Sequence, residues 1–240
     1  MKQLTQKIIS VHQPNFFPWA GFFHKMATSD MFIFLDDVQF SKNSYINRSQ
    51  VLVGGKKKWL TVPAKPPFGT AINAVELRNL SWKNEHLNLL ENAYRDAPYF
   101  SKVWSFIKTL YEGANSAFLC ENNIHFITSV AKRLEIDTPV VQSSGIPLTP
   151  CSNSTERLIK LIKKCNGNVY LSGAGAKNYQ NDSLFECCGI KLIYSSFELP
   201  NYPQKSSEFV VGLSILDMVF NLGWKATAEY LQKGSPSCDF

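Results

Sequence analysis

Residues 7–37, KIISVHQPNFFPWAGFFHKMATSDMFIFLDD, decide the fold. A short apolar run (Ile8, Ile9, Val11) leads into a loop punctuated by Pro14, Asn15 and Pro18. A helix over Trp19–Ser29 follows, with Phe22, Phe23 and Met26 on its inner side. Residues 31–36 then form a second apolar run, continuous as in a strand covered on both faces, and end in the paired carboxylates Asp36 and Asp37. The order strand, loop, helix, strand opens a parallel α/β sheet. Such sheets bind ligands beyond the carboxyl ends of their strands, where His12 and the Asp36/Asp37 pair fall.

Outward from this stretch, residues 44–63 read as extended segments joined by a hairpin turn at Gly54-Gly55, with KWLTVPA as a strand. Helical periodicity takes over near 83–95, 99–112 and 116–134, broken by Asp96-Ala97-Pro98 and Gly113. Strands and helices alternate again in the second half. TPVVQSS, VYLSG and GIKLIYSSF read as strands. SNSTERLIKLIKKCNG is a helix capped by Ser or Asn and ended by Asn166-Gly167. A short helix is expected near 182–188, and the chain closes with helices on either side of Gly223. The expected fold is α/β, a mostly parallel sheet flanked by helices, as one domain over 1–240 with a helical insertion at about 80–135.

With 240 residues the chain is long enough for one compact core. No apolar run approaches the roughly 18–20 residues needed to span a bilayer. Residues 1–10 lack the apolar core and cleavage site of a signal peptide, so the expected compartment is the cytoplasm. The six cysteines form no CxxC pair and are expected to be reduced thiols. The formal charge is +6, and Lys56, Lys57 and Lys58 form the tight basic run, followed by Trp59. Such a run steers anions or simply solvates a turn. Zinc-finger spacing and ribonucleoprotein motifs are missing, so nucleic acid is not the expected partner.

The chemistry-bearing candidates follow from position. His12, at a strand end and with an ordinary pKa near 6.5, suits acid–base work, ordered by Asp36 or Asp37. Gln13 and Asn15 follow it, and Lys25 on the helix is a candidate for phosphate. Gln39 shares strand parity with Asp37. Lys42, Asn47 and Arg48 suit an anion clamp, since Arg binds phosphate or carboxylate bidentately. In YLSGAGAKNY, Ser172, Gly173 and Gly175 suit a tight turn against a ligand, and Tyr179 suits stacking. Tyr202 and Gln204, in PNYPQ, suit recognition of sugar hydroxyls or a pyrimidine. Asp217 and Asn221 share a helix face. An adjacent acidic pair is weak evidence for a metal, so none is expected, and the sequence names no cofactor.

HQPNFFPWAGFFHK, DMFIFLDDVQFSKNSYINR, WLTVP, YLSGAGAKNY, PNYPQ and LSILDMVFNLG resemble, in order, the WbqC-like family of bacterial proteins. The resemblance implies a setting in O-antigen or other surface-polysaccharide biosynthesis. An amide-forming transfer onto an amino sugar is compatible with that setting. The expected enzyme moves an acyl or aminoacyl group from a small donor to a nucleotide-linked or lipid-linked amino sugar. More loosely, the strand–loop–helix–strand opening is similar to the nucleotidyltransferase and class I synthetase group. There a His-x-Gly-His motif holds phosphate, but here Phe22 stands at the last histidine. The alternatives are an ATP-dependent adenylate-forming ligase or nucleotidyltransferase, and a noncatalytic sugar-binding or assembly protein.

Overall fold

A computed structural model describes residues 6–177 and 180–233. The chain runs β1 (Ile8–His12), α1 (Ala20–Ala27), β2 (Met31–Phe34), β3 (Arg48–Val53), β4 (Lys56–Thr61), α2 (Trp82–Tyr94), α3 (Phe100–Gly113) and α4 (Leu119–Arg133). It continues through β5 (Val140–Gln142), α5 (Ser154–Lys164), β6 (Val169–Ser172), α6 (Asp182–Cys187), β7 (Lys191–Tyr194) and α7 (Ile215–Lys233). The fold is α/β. Five strands form one sheet in the order β5-β2-β1-β6-β7, and every neighbouring pair is parallel. The chain winds from β1 to β2 and β5, then crosses to β6 and β7 on the other side. The switch point therefore lies at β1, where doubly wound sheets hold ligands.

Strand alternation divides the core in two. Ser10 and His12 pair in register with Phe32 and Phe34 and face α1. Ile9, Val11 and Ile33 face the opposite way, onto Ile159, Ile162 and Phe185 of α5 and α6. The larger core joins α1 to α2, α3, α4 and α7 through Phe16, Phe17, Trp82, Tyr111 and Phe126. Each buried aromatic ring contributes about 1.5–3 kcal/mol. The three helices of the middle block thus pack on the loop after β1.

Local signals explain the element ends. Asn153 caps α5 by accepting from the Glu156 N–H at 2.9 Å, and the Glu156 carboxylate accepts from the Ser152 N–H at 2.6 Å. Asn166 (φ 57°) then ends the helix in the left-handed region. Gly223 (φ 77°) breaks α7 into two segments, and a Cβ there would lie 2.6 Å from the Tyr99 ring. Strands β3 and β4 form a separate antiparallel hairpin. Among the described residues no helix is long and apolar enough to cross a membrane.

Candidate functional site

The loop between β1 and α1 is fixed from below. The Asn123 side chain of α4, fully buried, donates to the carbonyls of Pro14 at 2.8 Å and Ile46 at 2.7 Å. The Phe16 N–H donates to Tyr45 O at 2.9 Å. These bonds join the loop to the segment that enters β3. Phe17 sits at φ 38°, a left-handed conformation that non-glycine residues rarely take, and its ring is held 4.6 Å from Phe126 and 5.8 Å from Tyr111. Strain of this kind clusters at ligand sites. At the start of α7, Ile215 N–H donates to Pro18 O and Ser214 N–H donates to Gln50 O.

Together these elements enclose a cleft of about 470 Å³. His12, Asn15, Pro18 and Trp19 line one side, Tyr45, Ser49 and Gln50 the hairpin side, and Leu199 with Val211–Ser214 the third. Trp19 and Tyr45 are large aromatic residues left 43% and 53% exposed. Several polar groups of the lining are unspent. Asn15 and Gln50 make no side-chain hydrogen bond within the described protein, and the buried Ser49 hydroxyl has no partner. His12 Nδ1–H donates to Gln13 O at 2.9 Å, so Nε2 is left as a bare acceptor.

The electrostatics of His12 differ from its ordinary behaviour. Burial first, and then the charge of Lys25, push its pKa down to about 3, against the raising effect of the Gln13 bond. One edge of the ring meets the cleft, and the lowered pKa keeps the imidazole neutral near pH 7. Its ring stands edge-on to Phe22 at 4.8 Å. Lys25 lies inside the protein, donating to Val11 O at 3.1 Å, and burial brings its pKa down to about 7. It therefore does not reach out to a phosphate.

The carboxylates are engaged elsewhere. Asp36, fully buried, accepts from Ser143 Oγ at 3.0 Å, Ser144 N–H at 2.9 Å, Ser144 Oγ at 2.6 Å and Gln142 Nε2 at 3.0 Å. Burial raises the Asp36 pKa, but these bonds together hold it below the usual carboxylate range. Asp37 pairs with Arg157 at 2.5 Å and accepts from Ser143 Oγ. The expected ordering of His12 by either carboxylate is thus replaced by Gln13 and Phe22. Asp36 and Asp37 instead hold the turn after β5, because its hydroxyls and backbone converge on the end of β2.

The expected anion clamp is not assembled. Lys42 and Gln39 line a different cleft of about 450 Å³ with Lys65 and Phe68. Asn47 is buried and donates to Val62 O at 3.0 Å. Arg48 donates to Asn43 O and lies 4.0 Å over the Trp59 ring. Ser172 is buried on the α5 side of the sheet, and Gly173 and Gly175 border open space away from the cleft. Tyr179 lies outside the described residues. Tyr202 and Gln204 do converge with Asp217, which accepts from Tyr202 at 2.9 Å, Gln204 at 3.0 Å and Tyr94 at 3.0 Å. Asn221 donates to the backbone carbonyl of Asp217 at 2.8 Å. Burial raises the Asp217 pKa against the effect of those donors. This group borders a second cleft of about 280 Å³ and ties α2, the 202–204 loop and α7 together.

Sequence reasoning missed Trp19, Tyr45, Ser49, Gln50 and Asn123 as parts of the site. An Asn on the inner face of an amphipathic helix was the available signal for Asn123; the others depend on how the hairpin folds back. Among the described residues no three His, Cys, Asp or Glu side chains are grouped to hold a metal ion.

The chain is similar to the uncharacterized protein Rv1507c of Mycobacterium tuberculosis (strain ATCC 25618 / H37Rv), at 28% identity over 229 residues. The match covers 94% of this chain and 98% of that one. No solved structure matches. The profile of the WbqC-like protein family matches residues 13–229, from the residue after His12 to the last helix. The chain belongs to the WbqC-like protein family.

Proposed function

We propose that the His12 cleft holds the sugar of a nucleotide-linked or lipid-linked amino sugar, and that the protein transfers an acyl or aminoacyl group to its amine. The observation that carries this reading is the unspent polar set, His12 Nε2, Asn15, Ser49 and Gln50, between the exposed rings of Trp19 and Tyr45. None of these polar groups carries a formal charge near neutral pH. Such a set suits a neutral polyol with an amine, gripped through hydroxyls and stacked on aromatic faces. In the transfer, the amine attacks the acyl carbon of an activated donor and a C–N bond forms. The bond to the donor's leaving group breaks, and the amine's proton passes to His12 Nε2 and on to that leaving group. The polysaccharide setting and the cytoplasmic location belong to the same proposal.

The low basicity of His12 favours a second reading, a noncatalytic sugar-binding protein. Adenylate chemistry gains less support. A Cβ on Gly21 would lie 2.2 Å from the Trp19 indole, so that ring covers the first turn of α1 where a phosphate would dock. Mass spectrometry after incubation with UDP-, dTDP- and GDP-linked amino sugars and thioester or aminoacyl-ester donors tests the proposal. The expected product is one amide-linked acyl group per sugar, formed about 10²–10⁴-fold more slowly by His12→Gln. Sugar binding without product across the panel would establish the noncatalytic reading instead.

A further inference from the structure

Residues 38–75 contain six cations, Lys42, Arg48, Lys56, Lys57, Lys58 and Lys65, and no Asp or Glu. That matches the formal excess of the whole chain, +6, so the remainder is balanced. The segment is hairpin β3–β4 with its flanking loops, and none of these cations has an ion pair among the described residues. The register places part of this charge beside the cleft. Gln50, a lining residue, pairs with Trp59, and two positions along each strand Leu52 pairs with Lys57 and Arg48 with Thr61. Alternation puts Arg48, Gln50, Trp59 and Lys57 on one face.

Two contacts join that face to the rim. Lys57 Nζ lies 3.8 Å from where a Cβ on Gly212 would stand, and Gly212 is part of the cleft wall. The Trp59 ring lies 5.8 Å from that of Tyr45, also on the wall, and the Arg48 guanidinium lies over the same Trp59 ring at 4.0 Å. Arg48 Nε is buried without a partner. A guanidinium over an indole keeps the N–H groups that Asn43 O does not take for a phosphate, and a nearby ammonium adds a point charge.

We infer that the Arg48–Trp59–Lys57 face is a diphosphate subsite that takes the carrier half of a nucleoside-diphosphate-linked sugar. A diphosphate lies between Arg48 and Lys57, and the base stacks against the exposed Tyr45 while the sugar packs on Trp19. The inference deepens the sugar-site reading, because it chooses the nucleotide carrier over the lipid one. The excess charge of the hairpin draws the dianion towards the rim.

The test titrates the full chain with UDP, dTDP, GDP and inorganic pyrophosphate, at low and at near-physiological salt. At least one nucleoside diphosphate is expected to bind more tightly than pyrophosphate, with affinity falling as salt rises. Lys57→Gln and Arg48→Gln each weaken it by roughly tenfold or more, the range of a charge-assisted hydrogen bond. Tyr45→Ala removes the preference for nucleotide over pyrophosphate, and the distant Lys108→Gln changes nothing. Lys57 is exposed and has no ion pair among the described residues, so its variant reads binding even where Arg48→Gln fails to fold. Unchanged affinity in Lys57→Gln overturns the proposal, as does failure of every nucleoside diphosphate to bind. So does Lys57-dependent binding to phosphatidylglycerol vesicles alone, which would make the face a lipid-headgroup site. Nucleotide binding with no acyl transfer would retract the transfer reading and leave the subsite standing.

Discussion

Lys25 is buried with a carbonyl for company and no carboxylate beside it among the described residues. In the unfolded chain its ammonium titrates near 10.5, and in the folded protein near 7. Between those values the unfolded state binds more protons, so stability should climb as pH rises through that window and be lowest below pH 7. His12 acts with the same sign further down. Its pKa falls from 6.5 to about 3, so stability is lost as pH falls through that interval. Lys25→Met is expected to raise stability at pH 7 by about 2 kcal/mol and to flatten the rise between pH 7 and 9. Urea unfolding at both values checks this; a variant less stable than wild type, or one that keeps the slope, would count against it. At this scale the sequence marks His12 and Asn15 but misplaces the carboxylates. The partner that occupies Asp36, Ser143, is 107 residues downstream, and no local pattern announces a bond over that separation.

The turn from β1 into α1 is the element on which the site depends. Gly21 is required there by contact rather than by backbone conformation, since a Cβ would strike the Trp19 indole. Gly21→Ala should therefore swing Trp19 away from the first turn of α1, change its fluorescence, and weaken sugar binding by about tenfold, the worth of one aromatic contact. Unaltered fluorescence and affinity would show that Trp19 does not wall the site. The strands and helices themselves are legible because their signals are local. Apolar runs give β1 and β2, Asn153 with Glu156 marks α5, and Gly223 marks the break in α7. The direction in which the hairpin packs is not legible. Its two strands read correctly from Gly54-Gly55, yet the bonds that seat it, Ser214 N–H to Gln50 O, Leu52 N–H to Tyr94 and Asn123 to Ile46 O, come from distant segments, and they leave Gln50 on the His12 cleft and Lys42 elsewhere.

Across the whole molecule, a doubly wound sheet supplies the His12 edge, while the hairpin and the 199–214 segment close the cleft over it. Asp217 ties this cover together. It receives Tyr94 and Tyr202, and the Tyr94 hydroxyl in turn accepts from the Leu52 N–H of β3 at 3.2 Å. Asp217→Ala leaves the buried hydroxyls of Tyr94 and Tyr202 without their acceptor, while Gln204 keeps Val210 O, and is expected to remove about 3 kcal/mol or more, read as a lower urea midpoint. A change within about 0.5 kcal/mol, the ordinary range for surface substitutions, would show that the cover is held by packing alone. The parallel sheet is legible from alternation of elements, whereas this three-way junction joins segments that only the fold brings together. The most direct measurement of the central claim is a thermal shift with UDP-, dTDP- and GDP-linked amino sugars, on wild type and on Asn15→Ala with Gln50→Ala. Those two side chains make no bonds within the described protein, so the unliganded midpoint should hold. A ligand at about 100 times its dissociation constant adds roughly 2.7 kcal/mol, or about 5–11 °C at this length. The account predicts that shift in wild type with one sugar class and its loss in the double variant; an equal shift in both, or none in wild type, would contradict it.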